Sequence, residues 1–150
     1  MSRIQHFGFE KSEDSLGFLL WQATMVWQRR IKKVLESFDV THPQFVIMAT
    51  LLWFKMHEYD TTQVAISTFS KLDEMTVSKS LKGLAIRGFV SRTEHEVDTR
   101  AKSIALTDEG KNLVAQLIPL VEKVDTDFFC VLPLDDQQEL IQFFRQLVKN

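Results

Sequence analysis

The chain has 150 residues, 45% of them hydrophobic and 25% charged, which is about the size of one domain with a single core. Its net charge of −2 excludes a generally basic protein, so any nucleic-acid binding must rest on local charge. One cysteine excludes an internal disulfide and a cysteine-based zinc finger, and the four histidines lack metal-ligand spacing.

Several function classes have no support in the sequence. It contains no Gly-rich phosphate loop and no nucleophile motif, and the acidic pairs near residues 125 and 135 are expected to be solvated helix ends and a cap. The N-terminus lacks a signal-peptide core, and no apolar run approaches a membrane span. We therefore expect a cytoplasmic protein that is not an enzyme and has no metal, cofactor or membrane partner.

The first predicted helix runs from Ser15 to about Phe38, with apolar residues at helical spacing. Its start can be capped by Ser12, Asp14 or Ser15. The first half of this helix is apolar nearly all round. Because such a helix must be covered on more than one side, we expect another subunit to pack against it.

Capping residues precede each of the next three predicted helices: Thr41 with Gln44 as a capping box, Thr61 or Thr62, and Asp73. The second helix is expected to end near His57 and the fourth near Gly88. The third is short and lies one turn before the fourth. This spacing predicts a helix-turn-helix.

The fourth predicted helix has two different faces. Val77, Leu81 and Leu84 follow helical spacing and should face the core. The opposite face carries polar and apolar residues together: Met75, Lys79, Lys82 and Ile86, flanked by Thr76, Ser78 and Gly83. Lysines and hydroxyls can contact base edges or phosphates in a major groove, but the same residues are also typical of a merely solvated face.

Two strands are predicted after Gly88, in FVSRTEHE with Phe89 standing just before the strand, and in SIALT from Ser103. The tip between them carries Asp98, Arg100 and Lys102. An arginine at such a tip can enter a minor groove, and Asp98 can orient its guanidinium. The alternative is a surface turn whose charges contribute nothing measurable.

Two further helices complete the chain. Thr107 caps the fifth, in which Pro119 is an expected kink, and the sixth follows Pro133 with a capping-box pattern at Asp135 and Gln138. A helix-turn-helix followed directly by a two-stranded hairpin is a winged helix. The predicted fold class is therefore mainly α with a small β-hairpin wing.

The stretch from Asp98 to Gly110 resembles the D-x-R-(five residues)-L-T-x-x-G wing signature of the MarR family of bacterial winged-helix transcription regulators. Residues 72–79 and 84–92 are similar to that family's recognition helix and its exit into the wing. The similarity covers almost the whole chain, including a proline within the fifth helix. The wing signature is more specific than the helix-turn-helix pattern alone.

The resemblance implies one domain, with residues 41–107 as a DNA-binding lobe and residues 10–40 and 108–150 as a helical dimerisation region. It implies a homodimeric repressor that binds double-stranded DNA, with its recognition helices about 34 Å apart on a pseudo-palindromic operator. It places Arg100 in the minor groove, next to Asp98 and Lys102. The major-groove residues would be Thr76, Ser78, Lys79 and Lys82.

Two positions depart from the family pattern. Gly83 lies inside the recognition helix, where it costs about 1 kcal/mol relative to alanine, and Ile86 lies on the outward face. Either groove contact is confined to the first two turns, or the glycine allows a close backbone approach.

The resemblance also implies an effector crevice between the dimerisation helices and the lobe, since relatives often bind small aromatic or phenolic molecules there. Six residues are on the right helices to line it, although each also suits a core: Trp21, Trp27, His42, Phe45, Trp53 and His57. Cys130 has apolar and acidic neighbours that disfavour a reactive thiolate, so we expect a packed, inert cysteine. The alternative function is a winged-helix dimer that acts as a protein-interaction scaffold without specific DNA binding.

Overall fold

A computed structural model describes residues 6–94 and 102–150. After a 3-10 turn at Ser12–Asp14, the elements are α1 (Leu16–Glu36), α2 (His42–Met56), α3 (Gln63–Ser70), α4 (Glu74–Ile86), β1 (Val90–Glu94), β2 (Lys102–Leu106), α5 (Asp108–Phe129) and α6 (Leu134–Val148). The predicted fold class, mainly α with a two-stranded wing, is confirmed. Asp98 and Arg100 lie outside the described residues.

The helices begin where capping side chains are available. The Thr41 hydroxyl accepts from the amide of Gln44 at 3.2 Å, and the Gln44 side chain accepts from the amide of Thr41 at 3.1 Å. Side-chain caps also start α1, α3, α4 and α5, from Ser15, Thr62, Asp73 and Thr107. Each cap satisfies an amide that has no partner within its helix. The starts predicted at Thr41, Asp73 and Thr107 are confirmed, and Ser15 and Thr62 are the residues that act among the predicted alternatives.

The predicted capping box of α6 is wrong. The helix begins at Leu134, and its N-cap is Pro133, which offers no side-chain acceptor. Asp135 therefore lies inside the first turn, where its charge interacts favourably with the helix dipole. The side chain of Gln137 instead donates to the carbonyls of Phe129 and Leu132, at 3.1 and 2.9 Å, and so holds the turn between α5 and α6.

The wing is an antiparallel pair whose register matches Val90 with Leu106 and Arg92 with Ile104. A third short stretch joins it, since the amide of Ile104 donates to the Thr61 carbonyl at 3.0 Å and Thr62 forms a bridge with Ser103. The sequence gives no local signal for this long-range pairing. It attaches the wing to the start of α3.

One hydrophobic core joins α1, α2, α3, α4, the wing and α5, and its buried residues run from Ile31 to Val124. At the junction of the wing and α5, the Thr107 amide donates to the Phe89 carbonyl at 3.0 Å. A Cβ on Gly110 would lie 2.0 Å from the same carbonyl oxygen. The glycine that ends the wing signature is therefore required because α5 and the wing meet here without room for a side chain.

Two segments, here called the outer helices, are left largely uncovered: residues 16–26 of α1 and the whole of α6. The buried residues of α1 are Ile31 and Leu35, both in its second half, and α6 has none. Large apolar side chains are exposed on both segments: Leu16, Leu20, Trp21, Ile141, Phe143 and Leu147. Within the described residues, no helix combines the length and the apolar character needed to cross a membrane.

Candidate nucleic-acid interface

The recognition helix α4 is fixed by its inner face. Val77, Leu81 and Leu84 are fully buried, as predicted, and α4 packs on α2 and α3. Ser78, Lys79 and Lys82 are exposed on the other side. The structure therefore presents three of the four predicted major-groove residues to solvent on one rigid helix.

Thr76 is placed differently from the other three. It is half-buried, its amide donates to one carboxylate oxygen of Asp73 at 2.8 Å, and its hydroxyl donates to the other at 2.8 Å. These hydrogen bonds lower the pKa of Asp73 below its usual value. The Thr76 hydroxyl proton is thus occupied by the cap, and only its lone pairs and methyl group are left for another partner.

Gly83 faces α2. A Cβ at this position would come within 3.0 Å of Nε2 of Gln44, whose Oε1 completes the capping box of α2. The glycine therefore allows α4 to pack closely against the start of α2. This contact is a third explanation, distinct from the two offered by the sequence.

Apolar residues lie at both ends of the outward face, and sequence reasoning did not include either among the DNA contacts. Met75, in the first turn, is 84% exposed, and Ile86, in the last, is 82% exposed. The helical spacing that places Met75 and Ile86 on the same face as Lys79 and Lys82 could have identified them as candidate contacts.

The described part of the wing adds positive charge beside α4. Lys102 is exposed at the first position of β2, opposite Glu94 in the register, and Arg92 is exposed on β1. The tip residues Asp98 and Arg100, predicted to orient and to enter the minor groove, lie in the gap between the described segments.

Arg87 connects the end of α4 to the turn between α1 and α2, a link that sequence reasoning missed. Its guanidinium donates to the carbonyls of Asp39 and Phe38, the latter at 3.2 Å, and lies 4.9 Å from the centroid of the Phe89 ring. A movement of that turn would therefore act directly on the end of the recognition helix.

The same turn forms one wall of a crevice of about 710 Å³, within the size range of small-molecule sites. The crevice is lined by residues of α1, the turn after it, α2, the end of α3 and the turn that follows: Trp27, Gln28, Lys32, Glu36, Asp39, Val40, Thr41, His42, Pro43, Val46, Ser70 and Leu72. It therefore lies between the first helix and the lobe, where an effector crevice was predicted.

Two residues that line the crevice, Trp27 and His42, contact each other, and Trp27 also bonds to α5. The indole Nε1 of Trp27 donates to Oδ1 of Asp125 at 2.7 Å, and the Trp27 and His42 rings meet edge to face at 5.1 Å between centroids. Burial lowers the pKa of His42, and the negative charge of Asp125 partly opposes that shift. Asp125, half-buried on α5, is therefore not the solvated helix end that the sequence suggested.

The six residues predicted to line an effector crevice do not come together. Trp27 and His42 line it, whereas Phe45 is buried in the core and Trp21 is exposed on α1. Trp53 and His57 stack on each other, with centroids 4.0 Å apart, at the opposite end of α2. Lying on the same helix was not enough to predict which residues line the crevice, because α2 is long enough to place its two ends in different surroundings.

Cys130 is exposed, so the expectation of a packed cysteine is wrong for the single chain. Its thiol donates to the Asp127 carbonyl at 3.2 Å at the end of α5.

Comparison with known proteins agrees with this architecture. Residues 36–124 match the family of ArnR1-like winged-helix domains. YdcH of Bacillus subtilis, an HTH-type transcriptional regulator, is 39% identical over 124 residues, which are 83% of this chain and 84% of that protein.

Solved structures share the fold at lower identity. BpsR of Bordetella bronchiseptica superimposes with a TM-score of 0.85 at 20% identity, over 95% of this chain and 99% of that one. A mutant of Escherichia coli MarR complexed with operator DNA gives a TM-score of 0.77 at 21% identity, over 88% and 92% of the two chains. Family match, relative and fold agree, and the chain therefore belongs to the MarR family of winged helix-turn-helix transcription regulators, which bind DNA and are not enzymes.

Proposed function

We propose that this regulator is a homodimeric repressor that binds a pseudo-palindromic operator and is released by a small aromatic effector. The observation that supports DNA contact through α4 is its division into a fully buried face and an exposed face with Lys79 and Lys82. A helix anchored in this way can enter a major groove without rearrangement. Arg100, with Asp98 and Lys102 beside it, would contact the adjacent minor groove.

The proposed dimer is supported by the outer helices. They border an apolar groove of about 860 Å³ between the start of α1, the end of α5 and α6, and its lining includes Leu20, Phe128 and Phe144. Exposed apolar surface of this extent is typical of an interface between subunits. A second copy seated there would cover both outer helices and hold two lobes on one DNA duplex.

The proposed effector site is the crevice at Trp27 and His42. BpsR provides the analogy, since its DNA binding is regulated by 6-hydroxynicotinic acid. The aromatic rings offer stacking surfaces here, and Lys32 offers a positive charge to an acidic substituent. Because Asp39 both lines the crevice and accepts from Arg87, occupancy can shift the end of α4 and weaken DNA binding.

DNA binding is tested with duplexes from the chain's own promoter region, titrated over a range of salt concentrations. We expect specific binding whose affinity falls steeply with salt as counterions are released, with the slope reduced by about 1 for each lost phosphate contact. The double variant Lys79→Ala, Arg100→Ala should bind much more weakly, and Lys149→Ala, an exposed lysine at the end of α6, should bind normally. Equal binding by the double variant and wild type would refute these contacts, and non-specific binding alone would favour the protein-scaffold function.

The effector site is tested by tryptophan fluorescence with a panel of phenols and aromatic acids. We expect saturable quenching that persists in Trp53→Phe and disappears in Trp27→Phe, because only Trp27 lines the crevice. Quenching that depends on Trp53 instead would move the site to the far end of α2. No saturable quenching across the panel would count against an aromatic effector.

A further inference from the structure

Met75 is an unexplained side chain on the face that the proposed function directs at DNA. It is 84% exposed, although a methionine side chain normally contributes to stability through burial. It lies with Lys79 and Lys82 along the outward face, on the side of the helix opposite the buried Val77 and Leu84. Its exposure in the free protein therefore keeps an apolar group available for a partner that approaches α4.

Its position on the helix favours contact with base edges. Met75 is the second residue of α4, and in helix-turn-helix proteins the N-terminal residues of the recognition helix reach the bases. The carboxylate of Asp73, the residue before the helix, is already bound by the amide and hydroxyl of Thr76. The first turn thus combines a satisfied cap with an apolar side chain that projects outward.

The chemistry of the groove then selects one partner. A thioether is a weak acceptor and cannot donate, whereas the edges of guanine, adenine and cytosine in the major groove are formed by hydrogen-bonding groups. Thymine adds the only methyl group of that surface. We propose, on the basis of the DNA-binding function proposed above, that Met75 packs against the C5-methyl group of a thymine and makes that base a specificity determinant of each operator half-site.

The position of Lys79 on α4 limits where that thymine can lie along the DNA. Residues four apart on a helix have Cβ atoms about 5–6 Å from each other, which corresponds to roughly one or two base-pair steps. The thymine read by Met75 should therefore lie within about two base pairs of the base or phosphate that Lys79 contacts. Ile86, eleven residues further on, lies about 16 Å along the helix and should not reach the same thymine.

The test compares thymine with uracil, which lacks only the methyl group. A duplex is first selected by the wild-type dimer from a randomised library, and each thymine is then replaced singly by deoxyuridine. We expect one position per half-site at which a single replacement weakens wild-type binding about 4-fold, as for the loss of one buried methyl group. Replacing that thymine in both half-sites of one duplex should weaken binding about 15-fold. Met75→Gln should bind the thymine and uracil duplexes equally, whereas Met75→Leu should retain the preference.

Ile86→Ala is the matched control, since it removes an equally exposed apolar side chain from the other end of the same face. It should retain the full thymine preference at the Met75 position. If wild type discriminates no thymine from uracil, or if Met75→Gln retains the discrimination, the inference is wrong while the DNA-binding function stands. If wild type selects no duplex at all, the proposed function fails with it.

Discussion

The lobe of residues 41–107 and the outer helices differ in what one chain supplies to each. Within the lobe, the inner faces of α2 and α4 are buried among residues of the same chain, among them Met48, Leu51, Leu81 and Leu84. The outer helices carry as many large apolar side chains, yet α6 has no buried residue. The lobe thus covers its apolar faces within one chain, whereas the outer helices would be covered by a second copy in the proposed dimer.

This difference separates two kinds of stability. Contacts within the lobe should stabilise the protein at any protein concentration, because both partners of each contact lie on one chain. Contacts of the outer helices should depend on concentration through dimer formation. Gly110, where α5 meets the wing, and Trp27, which bonds α5 from α1, make contacts within one chain and therefore test the first kind of stability.

The largest effect on folding is expected from Gly110→Ala. The added Cβ would lie 2.0 Å from the Phe89 carbonyl oxygen, so α5 or the wing must shift, at a cost of about 3 kcal/mol in the free energy of unfolding. Urea unfolding at two protein concentrations should give the same loss at both. Gly8→Ala, where no atom lies within 4 Å of the added Cβ, should be close to wild type. A loss that vanishes at high protein concentration would show that this junction depends on the dimer.

A smaller loss is expected from Trp27→Phe, which removes the indole donor to Asp125 across α1 and α5. A partly buried carboxylate would lose its partner, at a cost of about 1–3 kcal/mol. Chemical denaturation at a fixed protein concentration measures it. Asp125→Asn retains an acceptor for the indole and should cost less than Trp27→Phe. The reverse order would mean that the charge of Asp125, and not this hydrogen bond, is what stabilises the site.

The smallest effect concerns His42. Burial lowers its pKa in the folded state, so the unfolded chain binds more protons just below the usual histidine pKa of about 6.5. The contribution of His42 is therefore fully present above about pH 6.5 and is lost as the pH falls through the lowered folded pKa. Unfolding free energies of wild type and His42→Gln between pH 7.5 and 5 should show a shallower decline for the variant. Parallel curves would exclude His42 as a source of the pH dependence.

Local signals in the sequence predicted most of the fold. Each cap depends on one residue and the three that follow it, and those at Thr41, Asp73 and Thr107 form as predicted. For α3 the sequence left Thr61 and Thr62 open, and Thr62 is the cap. The box at Asp135 failed because the helix begins at Leu134, directly after Pro133, before that carboxylate can cap it. Thus a capping pattern alone did not determine which residue starts the helix.

The parts that sequence reasoning missed depend on distant residues. The pairing of Thr61 with Ile104 and the contact of Trp27 with Asp125 join residues far apart in the chain. Gly83 was predicted on the recognition helix correctly, but the side chain that a Cβ there would meet, Gln44, lies on another helix. The crevice likewise required tertiary placement to separate Trp27 from Trp53.

The central claim is that the outer helices join two complete lobes into one DNA-binding dimer. Two substitutions at equally exposed positions test it most directly. Leu147 on α6 is 60% exposed and borders the groove, whereas Val64 on α3 is 61% exposed and lies away from it. Light scattering and operator titration should show that Leu147→Glu lowers the mass from twice 17.4 kDa to 17.4 kDa and abolishes tight binding. Val64→Glu should keep the mass of the dimer. A Leu147→Glu protein that stays dimeric and binds operator DNA like wild type would contradict the account.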